Sequence, residues 1–176
     1  MTLRDLESAL PALSEFRSAA PRGIDWGLIE SELGLRLPSD FIELSEHYSL
    51  LVLGEFLSVH IPDPGKEQEF LSVAREFLSD LDSLREADMS HGYAPHPAEA
   101  GLFPWADSCE GDTWFWKTGG PGSDPAAWSI VVSGHNDDWV EVRETLTGYL
   151  TGLVRGVIPP DALPPDFPGP SPTVEG

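Results

Sequence analysis

Five histidines, one cysteine and 30 carboxylates are the residues of this chain best suited to chemistry. His91 and His96 stand five apart, and Cys109 follows further on. A zinc site needs three or four ligands in recognisable clusters, usually with paired cysteines. One cysteine cannot supply that pair, so neither a metal nor a cofactor is expected. The chain also lacks a glycine-rich phosphate loop, a Gly-x-Ser-x-Gly elbow and a His-Glu-x-x-His pair. His60 sits in an alternating segment with no evident partner and reads as a structural or rim histidine. Nothing in the spacing places two carboxylates opposite each other, so a catalytic pair is unsupported. The carboxylates instead form two short acidic loops, Asp107, Glu110 and Asp112 in one and Asp137 with Asp138 in the other. Beside them stand Trp114 and Trp116. Such side chains either fill a core or, being large and rigid, anchor a binding interface.

The bulk properties frame these residues. The chain has 176 residues, 40% of them hydrophobic, which suits one domain with a real core. Ten Lys and Arg against 30 Asp and Glu give a net charge of -20. Such a surface repels nucleic acid and anionic membrane and speeds encounter with basic partners; the plain alternative is solubility alone. No apolar run approaches the ~20 residues of a membrane span. The charged start Met-Thr-Leu-Arg-Asp lacks the apolar block of a signal peptide. One cysteine permits no internal disulfide. Together these features predict a cytoplasmic protein.

Periodicity supplies the elements. Leu3, Leu6, Leu10, Leu13 and Phe16 form a helical stripe that Pro11 should kink or split. Asp25 is a candidate N-cap for a helix ended by Gly34, and Pro38 opens the next one. From Leu53 to Ile61 the period falls to two, as in a strand. Phe70, Leu71, Ala74, Phe77, Leu78, Leu81 and Leu84 mark a long helix across Lys66 to Ala87. Its other face, carrying Glu67, Glu69, Glu76, Asp80, Asp82 and Glu86, reads as solvated. Asp88 to Gly101 reads as a loop. The blocks Gly101–Asp107 and Trp114–Trp116 read as a hairpin. Gly119 to Pro125 is a turn-rich loop. Ala127–Ser133 and Trp139–Val142 are further strands, and a last helix carries Leu146, Tyr149, Leu150, Leu153, Val154 and Val157. Residues 159–176 are rich in Pro and Gly with little to bury, which predicts a flexible tail on a single domain spanning 1–158. The element order predicts an α+β domain: a twisted, mostly antiparallel sheet with helices packed mainly on one face.

The corner between the two early helices is more specific. Trp26, Ile29-Glu30, Leu33-Gly34, Leu37-Pro38 and Asp40-Phe41 resemble, in order and spacing, the opening signature of the SUKH superfamily of Smi/Knr-type proteins. The block Leu102-Phe103-Pro104-Trp105-Ala106, the Gly111-Asp112 turn and the exit Gly156-Val157-Ile158-Pro159 are also similar to it. The resemblance covers roughly residues 24–158. Tyr48-Ser49-Leu50-Leu51 departs from it, where many relatives carry an Asn-Gly turn.

That resemblance implies a structural role for the signature residues and a non-catalytic function. It points to an immunity protein that binds and occludes a cognate toxin of a bacterial polymorphic toxin system, often a nuclease. A nuclease site is basic because it must hold phosphates, and an acidic surface can mask it and find it quickly. The partner-binding patch expected on this basis is Asp107, Glu110, Asp112, Trp114, Trp116, Asp137 and Asp138. The alternative is an intracellular regulatory adaptor of the Smi/Knr type without a toxin partner.

Overall fold

The computed structural model describes residues 1–119, 122–169 and 172–175. Gly120 and Pro121 of the turn-rich loop, and positions 170, 171 and 176 of the predicted tail, lie outside them. Pro11 splits the first helical stripe as its missing N–H requires. Helix α1 is Leu3–Ala9, and a 3-10 turn follows over Pro11–Phe16. Three residues per turn instead of 3.6 rotates the end of the stripe outward, and Phe16, expected on the buried side, is exposed.

The helix–corner–helix is built by its signature. Asp25 caps α2 (Trp26–Leu33) by accepting from the Leu28 amide, and Gly34 ends it at φ 67° in the left-handed conformation. Pro38 then leads into α3 (Ser39–His47). Trp26 meets Phe41 edge-on, with ring centroids 5.9 Å apart, and its Nε1–H donates to Glu46 at 2.6 Å. Glu30 closes the corner by accepting from the Leu37 amide. Ile29, Leu37, Pro38 and Phe41 are buried, and Leu33 is half-buried. Asp40 reaches across to the Thr147 amide at 2.9 Å. Burial pushes the Glu46 carboxyl up, but donors from Gly23, Trp26, Ile24 and Arg22 outweigh it and hold the group below its ordinary value.

The strand expected over Leu53–Ile61 is instead a hairpin of β1 (Val52–Leu53) and β2 (Leu57–Val59). Gly54 and Glu55 both take positive φ, which turns the chain inside the apolar run. Helix α4 (Glu67–Glu86) follows. Its first residue departs from the solvated face: Glu67 is buried and accepts from the Asp25 and Gly65 amides, tying α4 to the start of α2. Strands β3 (Leu102–Ser108), β4 (Thr113–Lys117), β5 (Ser129–Ser133) and β6 (Trp139–Val142) form a meander, and α5 (Leu146–Val154) closes it.

A last strand, β7 (Val174–Glu175), pairs with β1, giving the antiparallel order β6-β5-β4-β3-β2-β1-β7. This corrects the expectation of a tail with little to bury. Phe167 is buried, its ring centroid 5.0 Å from that of Phe56, and the Gly54 amide donates to the Thr173 carbonyl.

The fold is α+β, as expected, with its main core on one face of the sheet. There Trp105, Trp114 and Trp116 meet Phe41, Leu150 and Tyr149 of α3 and α5. Strand alternation sends Phe115 and Val131 to the opposite face, where they form a smaller core with Leu102 and with Leu81 of α4. Tyr93 and Trp139 pack against it. Among the described residues no helix is long and apolar enough to cross a membrane.

Candidate partner-binding surface

The antiparallel register fixes which turns are neighbours. Leu57 pairs with Ser108, Asp107 with Thr113, Thr113 with Ser133, and Ser133 with Trp139. The β1–β2, β3–β4 and β5–β6 turns therefore share one end of the sheet. Both acidic loops expected from the sequence are brought together there. The turns are joined directly: the Cys109 amide donates to the Phe56 carbonyl, and the His135 amide donates to Asp112 Oδ1 at 2.9 Å.

Side-chain exposure divides the predicted residues. Glu110, Asp137 and Asp138 are exposed. Asp107 is half-buried and accepts from His60 Nε2 at 3.0 Å. Asp112 is fully buried. It accepts from the Ser108 hydroxyl at 2.5 Å and from His135 Nδ1–H at 2.8 Å, so it braces the turns and offers no exposed carboxylate for a partner to contact. Trp114 and Trp116 are 0% and 2% exposed, with the Trp114 indole N–H on the Tyr149 hydroxyl. They are core residues, which corrects their assignment as binding anchors. Their strand alternation places them on the face already covered by α3 and α5.

The structure adds acidic residues that the sequence reading missed. Glu55 is exposed at the tip of the first turn, and Gly54, interrupting an apolar run, was the available signal. Asp161 and Asp166 are exposed on the segment after α5. That segment lies against the β5–β6 turn: a Cβ built on Gly134 would come within 2.6 Å of the Ala162 carbonyl. No Lys or Arg occurs within 54–56, 108–112 or 134–138.

Asp112 and His135 also have the relative placement of a general-base pair, a carboxylate orienting an imidazole through Nδ1. His135 Nε2, however, lies 3.1 Å from Asn136 Nδ2, which donates to it. The Asp112 hydrogen bond raises the His135 pKa above its ordinary value despite desolvation, with further help from the charges of Asp112, Glu110 and Asp138.

A cleft of about 980 Å³ lies elsewhere, between the α2–α3 corner and the loops around Pro97 and Pro125. Several of its polar side chains have partners within the chain. Glu30 accepts from Leu37, His96 Nε2–H donates to the Leu33 carbonyl at 2.8 Å, and Asp124 accepts from the Ala126 amide. Among the described residues no three His, Cys, Asp or Glu side chains converge to hold a metal ion. Compared with protein-family models, curated proteins and solved structures, the chain matches none.

Proposed function

We propose that this protein is a non-catalytic, cytoplasmic binding protein that occludes a basic protein partner with the acidic end of its sheet. The observation that carries this function is the convergence of three adjacent turns bearing exposed Glu55, Glu110, Asp137 and Asp138 with no intervening cation. Carboxylates held on short turns of one rigid sheet repel one another, and a basic surface relieves that repulsion. Complementary charge also steers encounter and raises the association rate. The likeness of the Trp26–Phe41 corner to the SUKH signature supports a more specific form. On that basis the partner is a toxin domain, such as a nuclease, and the protein confers immunity by covering its phosphate-binding site.

The test is affinity capture of the tagged protein from its native host at low and high salt, with mass spectrometry of the captured proteins. One basic, toxin-like partner that dissociates as salt rises is the expected result. A set of partners without basic character, held regardless of salt, would overturn the proposal in favour of a regulatory adaptor.

A further inference from the structure

Three of the five histidines are each paired with an aspartate at this end of the sheet. His60 Nε2 meets Asp107 at 3.0 Å, His91 Nε2 meets Asp137 at 3.2 Å, and His135 Nδ1 meets Asp112 at 2.8 Å. The three histidines arrive from separate parts of the chain: the segment after β2, the loop before β3 and the β5–β6 turn. All converge on carboxylates of the β3–β4 and β5–β6 hairpins. With neutral imidazoles, Asp107, Glu110, Asp112, Asp137 and Asp138 carry five negative charges. With three imidazolium ions the same cluster carries a net charge of -2. Histidine is the side chain whose charge ordinarily changes between pH 5 and 8.

We infer that these pairs form a proton gate on the acidic surface, which attracts a basic partner at neutral pH and releases it as pH falls. The inference rests on the binding function proposed above and adds its regulation. The charged and titratable groups around each histidine come from several elements. His135 faces Asp112 and Glu110 from the neighbouring turn, Asp138 from its own, and the segment carrying Asp161. His60 packs on Phe77 of α4 and shares a cavity wall with Asp63, Lys66 and Glu69. His91 stacks on Trp139 beside Tyr93, which contacts Glu141 and Lys117. Protonation turns each imidazole–carboxylate hydrogen bond into an ion pair. It therefore tightens the turns while removing their outward attraction.

The test uses decalysine as the basic probe, titrated into the full chain at about 20 mM salt, where screening is weak. Affinity is read at about pH 7.5 and about pH 5.5, with amide chemical shifts locating the contact. The gate predicts perturbations at Glu55, Glu110, Asp137 and Asp138. It also predicts a Kd that rises about threefold or more on acidification, and a nearly flat response in the His60→Gln/His91→Gln/His135→Gln variant. The double variant His91→Gln/His135→Gln spares the half-buried His60 and should lose most of the response. Binding at these turns with no pH dependence, or with the same dependence in the variants, would overturn the gate alone. Perturbation of other residues would overturn the surface as well. Neither result depends on capturing the host partner.

Discussion

At the residue scale the acidic turns contain two kinds of carboxylate, and substitution separates them. Asp112→Ala strands the buried Ser108 hydroxyl and the part-buried donors of His135. It should destabilise the protein by ~1–3 kcal/mol in chemical denaturation. Glu110→Lys or Asp138→Lys removes an exposed charge with no buried partner and should change stability by less than ~0.5 kcal/mol. Charge reversal at Asp112 is therefore a folding mutation and says nothing about binding. Trp114→Ala empties a fully buried site and should lose ~3–5 kcal/mol, as core truncations of this size do.

His135 makes the pH dependence directional. Its folded-state pKa lies above the ordinary value, so the clasp with Asp112 stabilises the fold fully below ~6.5. That stabilisation fades as pH rises through the raised value. His135→Gln should show its largest Tm deficit in mild acid and a shrinking one at alkaline pH. A deficit that grows with pH would contradict the assignment.

At the element scale, what the sequence disclosed depended on how local the cause was. Caps and corners are settled by neighbouring residues, so Asp25, Gly34 and Pro38 mark their helices directly. The amphipathic stripe of α4 is equally local, apart from Glu67, whose partners lie across a loop and on α2. The β1–β2 hairpin was hidden because apolar residues continue on both sides of Gly54, whose interruption was its sequence signal, and the positive φ at Gly54 and Glu55 makes the turn. The convergence of the acidic loops depended on strand register, which no spacing shows. The same limit concealed the burial of Trp114, Trp116 and Asp112. The final segment misled for a compositional reason: one phenylalanine and a two-residue strand anchor a stretch that is otherwise Pro and Gly. Removal of residues 159–176 should therefore lower Tm, since it uncovers Phe56 and the β1 edge. Phe167→Ala alone should reproduce a large part of that loss. An unchanged Tm in the truncated chain would show that the segment contributes nothing to stability.

At the scale of the whole molecule, a net charge of -20 does not by itself select a binding face. Selection comes from topology: a meander places alternate turns at one end, and those turns carry carboxylates without cations. Some charges elsewhere along the chain are paired. Arg75 meets Glu32, Arg85 meets Asp82, and Lys117 meets Glu141. The field at the acidic end is therefore less compensated than the field over these pairs, and salt should screen its attraction within about a Debye length.

The most direct measurement is the salt dependence of affinity for the captured partner, comparing wild type with the Glu110→Lys/Asp137→Lys/Asp138→Lys variant. The account predicts a wild-type affinity that falls steeply as salt rises. The variant should bind more weakly, show a flatter slope and keep nearly the same Tm. Equal affinity and equal slope in the two proteins would show that the acidic end of the sheet is not the binding surface.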